Sequence, residues 1–422
     1  MRSRRVGAAG IFALAAVPRL LHLALAPIRF DDWQWGLATS LLTRGTLEHE
    51  GATTDFEPLY PLFVAAIRSV VGDRPALVLL VQGAVASLGA VLLFRLAEAL
   101  SGSRRVGVSA GVLFAVYPLL IRHATDGTES ALLATFLIAF AWAFVTAKTT
   151  GGAALAGTWL GLATLTRSMV LPLVPLSIAL MLWDGRRRAA VGLLCAILVM
   201  APWAVRNYSL NGTLLPTRLG LNLFISNSSY NVIPEYPPDI LGDYAGLIAS
   251  REGFERAIPS PEIDRAADEM YLRFALREVS SHPWRTAWLK TKNLWYFFSP
   301  RLVPYYDLTD DTYIVLDENG AFHVEHAEPR PVFHQLAYTV PYVFVLVMIA
   351  VAFASRRVSF RRDAILWGIV GVFAAVQTIY FPTMRYRVPV EFALLYYAAV
   401  GMDALMVPLK PDATIPETVA HV

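Results

Sequence analysis

The sequence has little charge and almost no cysteine. Of its 422 residues, 16% are charged and 56% are hydrophobic, whereas ordinary soluble domains contain about 25% charged residues. The single cysteine, Cys195, lies within an apolar segment. It excludes an intramolecular disulfide and is better explained as a small buried side chain than as a reactive thiol. This composition predicts a polytopic membrane protein with an all-α fold.

The sequence also lacks two motifs that identify common enzyme chemistries. It contains neither a Gly-x-x-x-x-Gly-Lys phosphate-binding loop nor a His-Glu-x-x-His zinc motif. The net charge of +3 does not indicate a nucleic acid partner, because the basic residues lie at the ends of apolar segments, where membrane topology explains them. The sequence therefore contains no motif for either of these two chemistries, and its charge does not point to nucleic acid.

Apolar segments near the length of a membrane span, about 20 residues, recur along the chain. They fall at 6–27, 75–99, 105–121, 129–147, 152–166, 169–183, 189–205, 332–354, 363–381 and 388–407. We therefore predict about ten transmembrane helices, although the two short segments within 152–183 also fit one irregular re-entrant pair. The first segment is long enough to span, so we interpret it as an anchored helix and not as a cleaved signal peptide.

Clusters of arginine and lysine predict the orientation of these spans. Basic residues precede the first span and occupy the connections after spans two, four, six and eight. Because cytoplasmic loops carry the excess of Lys and Arg, both termini are predicted to lie in the cytoplasm. The outer side then receives the first loop, short turns at 122–128, 167–168 and 382–387, and a long loop.

This topology divides the chain into four parts. They are an N-terminal transmembrane module at 1–205 with its first outer loop at 28–74, an outer-face (periplasmic) region at 206–331, C-terminal transmembrane helices at 332–407, and a disordered tail at 408–422. Two helices are predicted in the outer loops. One, at 59–71, is too short to span and should lie in the interface, and the other is at 261–280.

Acidic residues gather on the predicted outer side. Asp31, Asp32 and Glu57 lie in the first loop, and Asp126 and Glu129 lie in the second outer turn. Each has a structural explanation, since acidic residues are favoured at helix N-termini. The functional alternative is a catalytic base or a metal site, because carboxylates at a membrane surface are costly unless something uses or satisfies them.

Four arginines also fall on the outer side, where the positive-inside rule disfavours them. They are Arg167, Arg206, Arg385 and Arg387. A side chain that reaches from the span to the interface is one explanation. A guanidinium also suits a lipid phosphate, because it offers planar, permanently charged donors to phosphate oxygens.

The order of these motifs resembles that of a known family. The Asp31-Asp32 pair, the Glu57-Pro58-Leu59 segment and Arg206-Asn207 after a Pro-Trp pair are similar to motifs of the GT-C glycosyltransferases. The similarity is closest to the branch that holds protein O-mannosyltransferases and lipid A aminoarabinose transferases, and it covers roughly residues 1–405. The segment at Glu57 departs from the family pattern in lacking a lysine before the proline.

The resemblance implies a GT-C-like bundle whose outer loops contain interfacial helices. It also implies a multi-pass protein of the inner (plasma) membrane whose active site faces the outer side. Such a protein would move a sugar from a polyprenyl-phosphate donor to a hydroxyl of a glycolipid, polysaccharide or protein acceptor, with no nucleic acid involved.

The resemblance further implies roles for the candidate residues. Asp31 would act as the catalytic base, and Asp32 with Glu129 or Asp126 would orient the acceptor or hold a divalent cation. Glu57 is the remaining metal candidate. The donor phosphate would be bound by the four outer arginines, Arg167, Arg206, Arg385 and Arg387.

Two other functions fit the same composition. A transporter or flippase of a lipid-linked anionic substrate would place ionisable residues near the bilayer midplane, whereas here they gather at one face. A noncatalytic assembly subunit would be expected to have lost the first-loop acids, and Asp31 and Asp32 are both present. A surface enzyme is therefore the favoured interpretation.

Overall fold

The computed structural model describes residues 7–49, 52–53, 56–183, 188–214, 218–227, 265–300, 312–316, 322–326, 332–380 and 382–406. The predicted disordered tail at 408–422, most of the outer loop at 228–264, and Asp55 of the first loop lie outside these residues. Within the described part, the chain forms a bundle of α-helices with two small antiparallel hairpins.

The helices of the first half of the chain are α1 (Ala8–Leu25), α2 (Asp32–Arg44), α3 (Leu59–Val71), α4 (Pro75–Ser101), α5 (Arg104–Val116), α6 (Pro118–His123), α7 (Ser130–Thr146), α8 (Thr150–Thr166), α9 (Leu173–Trp183) and α10 (Ala189–Asn211). Those of the second half are α11 (Leu219–Asn227), α12 (Arg265–Ser281), α13 (Pro283–Phe297), α14 (Val332–Ala354), α15 (Ala364–Ile379), α16 (Met384–Arg387) and α17 (Glu391–Met406). The hairpins pair β1 (Glu48–His49) with β2 (Ala52–Thr53), and β3 (Thr312–Leu316) with β4 (Phe322–His326).

Each of the ten predicted spans contains a helix, and the predicted outer helices are present as α3 and α12. Five helical stretches of the described part are long and apolar enough to cross a membrane: Ala8–Leu25, Pro75–Ser101, Ala189–Leu210, Gln335–Ala354 and Met384–Met406. The last consists of α16, a 3-10 turn at Val388–Val390 and α17. The other predicted spans fall on shorter helices, so the count of about ten stays a prediction. The two hairpins are not predicted by the sequence.

One predicted span, at 105–121, is divided into α5 and α6 by Pro118. Proline has no N–H, so the carbonyl groups one turn before it lose their helical partners. Arg19 of α1 replaces them, because its guanidinium donates to the carbonyl oxygens of Ala115 at 3.2 Å and Phe114 at 3.5 Å. This arginine is 2% exposed. The hydropathy pattern of the sequence gives no reason for a charged residue at this position of the predicted span.

The bundle is held by apolar packing and close helix contacts. α4 lies against α1, α5 and α7, and α8 lies between α7 and α10. The α8–α10 contact depends on small residues, since Gly157 faces the backbone of Gly192 with no room for a β-carbon. Small residues of this kind let helix backbones approach closely in membranes.

The first-loop helices α2 and α3 are joined by a buried arginine. Arg68 of α3 lies 3.9 Å from the ring centroid of Trp35 and donates to the carbonyl oxygen of Trp35 at 3.1 Å and to Thr39 Oγ1 at 2.8 Å. It also pairs with Asp73. A stacked, multiply bonded guanidinium therefore holds α2 at a fixed angle to α3.

Candidate active site

Asp31 occupies the N-cap of α2, as its structural explanation predicts. Its Oδ1 accepts a hydrogen bond from the backbone N–H of Gln34 at 3.3 Å, which satisfies one of the free donors at the helix start. The other carboxylate oxygen, Oδ2, lies 3.7 Å from Nη2 of Arg385. The same side chain therefore caps α2 and faces a cation that a distant segment supplies.

The second outer turn fixes the backbone beside Asp31. Phe30 and Gly127 form a parallel bridge, in which Gly127 N–H donates to Arg29 O at 3.0 Å and Asp31 N–H donates to Gly127 O at 3.4 Å. A β-carbon on Gly127 would lie 2.5 Å from the Cα of Phe30. Only glycine fits this approach, so Gly127 helps to determine where Asp31 lies.

We expect Gly127→Ala to displace the first loop and to lower turnover by about 100-fold, because a shift of about 1 Å at a catalytic group costs this much. Gly83→Ala is the matched control. Its added β-carbon would make ordinary contacts at 3.8 Å with Ala124 O and Arg19 Cβ. Transfer rates of the two variants, measured at equal folded concentration, check the prediction. Normal turnover in Gly127→Ala would contradict it.

Glu129 joins two of the predicted phosphate-binding arginines. It is 3% exposed and precedes the first residue of α7. Its Oε1 lies 2.6 Å from Arg167 Nη1, and its Oε2 lies 2.7 Å from Arg385 Nη2. Arg167 also donates to the hydroxyl of Tyr386 at 2.5 Å. One carboxylate thus orients two guanidinium groups, and the Glu129–Arg167–Arg385 group carries an excess of one positive charge.

Burial raises the pKa of the Asp31 carboxyl, and the nearby Glu129 carboxylate raises it further. Arg385 and the N–H groups of Gln34 and Trp33 oppose this effect by stabilising the charged form. A carboxylate with a raised pKa is a stronger base than an exposed one. The position therefore suits proton abstraction at the loop surface.

Glu57 is bound by the segment that follows Arg167. Its Oε1 accepts from the backbone N–H of Ser168 at 2.7 Å and from the Ser168 hydroxyl at 2.5 Å. These bonds connect the first loop to the turn after α8. They place Glu57 beside the acid–arginine cluster, which consists of Asp31, Glu129, Arg167 and Arg385.

The described residues do not fit a metal site. No three His, Cys, Asp or Glu side chains of this part of the chain come together as ligands. Both oxygens of Glu129 lie against arginines, and Glu57 is hydrogen-bonded to Ser168. A divalent cation at Glu129 would have to displace the guanidinium groups of Arg167 and Arg385.

The other two predicted acids lie beside this cluster. Asp32 is exposed in the first turn of α2. Asp126 accepts from Thr128 Oγ1 at 2.7 Å, and its other oxygen lies 2.8 Å from Nδ1 of the buried His123. Gln82 donates to the Asp126 carbonyl at 2.6 Å. These bonds shape the second outer turn that carries Gly127.

The two remaining arginines contact other residues. Arg387 is 4% exposed and lies 2.7 Å from Glu391, and it donates to the carbonyl of Ser299 at 2.8 Å. Arg206 lies 4.3 Å from the ring centroid of Trp203. It helps to line an apolar groove of about 560 Å3 between the first loop and helices α8 and α10.

Three further residues contribute to the site, and the sequence analysis did not identify them. Tyr386 accepts a hydrogen bond from Arg167, and Ser168 donates one to Glu57. Gly127 forms the backbone contact with the first loop. Tyr386 lies in the sequence between Arg385 and Arg387, which are both predicted to bind phosphate, and this position could have identified it as a site residue. Neither Ser168 nor Gly127 has a local pattern that separates it from an ordinary turn residue.

Comparisons with known proteins agree with this architecture. Residues 55–205 match the model of the family described as dolichyl-phosphate-mannose-protein mannosyltransferase. No curated protein matches the chain in sequence.

Two of the solved structures with a similar fold are oligosaccharyltransferases. The apo oligosaccharyltransferase of Archaeoglobus fulgidus is 16% identical with a TM-score of 0.54, over 96% of this chain and 51% of that one. The AglB oligosaccharyltransferase of the same organism, in complex with an inhibitory peptide and a dolichol-phosphate, has a TM-score of 0.50 at 16% identity, over 94% and 50%. ArnT of Cupriavidus metallidurans bound to undecaprenyl phosphate has a TM-score of 0.42 at 14% identity, over 95% and 79%. The chain spans about half the length of the two archaeal proteins.

Proposed function

We propose that the chain, whose fold is similar to that of two oligosaccharyltransferases and whose residues 55–205 match a mannosyltransferase family model, is a GT-C glycosyltransferase that transfers a sugar from a polyprenyl-phosphate donor to an acceptor hydroxyl. The reaction takes place at the outer face of the plasma membrane. The acceptor is a glycolipid, polysaccharide or protein. The observation that carries the proposal is the convergence of Asp31, Glu129, Arg167 and Arg385, which lie in separate segments of the chain.

Each member of this cluster has a role in a single displacement. Asp31 takes the proton of the acceptor hydroxyl as its oxygen attacks the anomeric carbon. The bond between that carbon and the phosphate oxygen breaks, and polyprenyl phosphate leaves. Arg167 and Arg385 stabilise the negative charge that grows on the leaving phosphate. By resemblance to the family, the anomeric configuration inverts.

Glu129 is a positioning residue in this scheme. Each of its carboxylate oxygens contacts one arginine, at 2.6 Å and 2.7 Å. The two guanidinium groups are therefore oriented before the donor binds, which lowers the cost of organising them in the transition state. Asp31 also lies 3.7 Å from Arg385, so one of the two positive charges becomes available to the leaving phosphate as Asp31 takes the acceptor proton.

The apolar groove beside the cluster suits the polyprenyl chain. Leu165 and Pro58 line it; Leu165 lies two positions before Arg167 of the cluster, and Pro58 directly follows Glu57. Arg206 lies in the wall of the groove, stacked on Trp203. An apolar channel with a cation at its side matches a lipid with a phosphate head group.

We expect Arg206→Ala to weaken binding of the donor lipid by about 10-fold or more, since a hydrogen bond to a charged group contributes about 1.5–3 kcal/mol. Binding of undecaprenyl phosphate to the protein in nanodiscs measures this. Arg44→Ala is the control, because Arg44 is an exposed arginine that pairs with Glu48 at 3.1 Å. Equal affinity in the wild type and Arg206→Ala would remove Arg206 from the donor site.

The reaction itself is tested with the purified protein in nanodiscs. Undecaprenyl phosphate carrying radiolabelled hexose or pentose is supplied on the outer side with a membrane extract as the source of acceptors. Label that moves into acceptor material supports the transferase. Label that crosses the bilayer unchanged would instead identify a transporter of a lipid-linked substrate.

A further inference from the structure

A second cavity lies at the far end of the bundle from Asp31. It has a volume of about 890 Å3 and lies between the ends of α4, α7 and α9 and the connection from α14 to α15. Phe144 and Val145 of α7 line it, whereas Glu129 directly precedes the same helix. α7 has 17 residues, so its two ends are about 24 Å apart at a rise of 1.5 Å per residue. The cavity is separate from the catalytic cluster.

The walls of this cavity are apolar and end in exposed aromatic rings. Leu100, Phe144 and Leu180 form the inner wall, and Trp183 and Phe360 stand at the mouth with 78% and 66% of their surfaces exposed. Aromatic rings at the ends of apolar helices are typical of the level at which lipid head groups meet acyl chains.

The ring of Phe360 is held in place at the mouth of the cavity. It is stacked on Trp367 with the ring centroids 5.2 Å apart. Trp367 is stacked in turn on the buried Tyr397 at 4.8 Å. A wall supported by packed rings keeps its shape, so the mouth of the cavity is preformed.

The cavity also has an arginine, Arg361, for which the described residues supply no carboxylate partner. Arg362 binds Asp363 through two hydrogen bonds, of 2.8 Å and 3.1 Å, and Arg357 lies 2.7 Å from Asp403. Arg361 lines the cavity and is exposed. Among the described residues, no carboxylate lies within ion-pair distance of Arg361. Its guanidinium is therefore the cation that a ligand in the cavity would meet.

We propose that this cavity is a binding site for one anionic phospholipid of the adjacent leaflet. The phosphate lies on Arg361, and the first part of an acyl chain packs between Leu180 and Phe144. A volume of about 890 Å3 falls within the range of about 300–1,000 Å3 that is typical of small-ligand sites. A soluble anion would gain nothing from the apolar walls, and a lipid without net charge would gain little from the guanidinium.

The proposal is tested on the full chain by native mass spectrometry in detergent, with phosphatidylglycerol and phosphatidylcholine added separately. We expect phosphatidylglycerol to bind more tightly and Arg361→Gln to weaken its binding about fivefold, the effect of one basic residue near an anionic lipid. Arg356→Gln is the matched control. Arg356 is exposed on the same connection but does not line the cavity, so its loss should leave the affinity unchanged. Trp183→Ala should weaken binding of both lipids.

Three results would overturn the proposal. Equal affinity for the two phospholipids would remove the role of the charge. Equal losses in Arg356→Gln and Arg361→Gln would indicate general attraction by the basic surface. Preferential, Arg361-dependent binding of undecaprenyl phosphate would assign the cavity to the polyprenyl lipid instead. None of these measurements depends on sugar transfer, so the proposal stands or falls separately from the proposed activity.

Discussion

Asp31→Asn is expected to lower sugar transfer by about 10²–10⁴-fold, the usual contribution of a positioned general base. The replacement keeps the shape of the side chain but removes its ability to accept a proton. Asparagine is as good an N-cap as aspartate, and the side-chain oxygen can still accept from Gln34 N–H. α2 should therefore stay folded, and the loss should lie in turnover and not in thermal stability.

The control for this prediction is Glu48→Gln, which neutralises an acid of the same loop outside the cluster. Glu48 pairs with Arg44 at 3.1 Å on the surface, and such exposed pairs contribute little. Its turnover should match the wild type. Asp32→Asn separates the two adjacent acids, because Asp32 is exposed whereas Asp31 faces Arg385. Turnover of Asp31→Asn within about threefold of the wild type would exclude Asp31 as the base.

The helices of this fold could be predicted because apolar runs determine them locally. Each of the ten predicted spans contains a helix, and α3 was predicted with the bounds that it has, Leu59–Val71. The break at Pro118 is a local effect too, since proline removes a donor wherever it stands. The residue that supplies the missing hydrogen-bond donor could not be predicted from the sequence. Arg19 replaces the missing donor from a helix about 100 positions away in the chain.

In the candidate site, too, the features that depend on local sequence could be predicted, whereas the contacts between distant segments could not. Asp31, Glu129 and Arg167 stand at helix ends, so the sequence places them at the ends of predicted helices and not within them. The sequence does not place Arg385 on Glu129, from which it is separated by 256 positions. That contact depends on how α7 and α16 pack, which no local pattern encodes.

Arg385 and Arg387 have the same sequence context, and the structure gives them different surroundings. Both lie in α16 (Met384–Arg387). Residues two positions apart on a helix point about 200° away from each other, because each residue turns the helix by about 100°. Arg385 therefore reaches Glu129 and Asp31, while Arg387 points into the bundle toward Glu391 and Tyr342.

This difference predicts opposite consequences for the two arginines. Arg385→Gln should lower transfer by about 10²–10³-fold, the cost of removing one donor that stabilises charge in a transition state. Glu129 keeps Arg167 as a partner, so thermal stability should change little. Arg387→Gln leaves the buried Glu391 without its cation, which typically costs about 3–5 kcal/mol of stability. Turnover and melting temperature of both variants, measured in the same detergent, check this pair.

The pH dependence of sugar transfer distinguishes the effect of the positive charge of Arg385 from the effect of its hydrogen bonds. Asp31 must be ionised to act as a base, so transfer falls as the pH drops through its pKa. Arg385 lowers that pKa, and Arg385→Gln should therefore move the acid limb of the profile to higher pH. Arg385→Lys keeps the charge and should return the limb toward its wild-type position. Its turnover should stay low, because an ammonium group cannot replace the planar guanidinium that contacts Glu129 and the phosphate together. An acid limb at the same pH in all three proteins would show that Asp31 and Arg385 do not interact during the reaction.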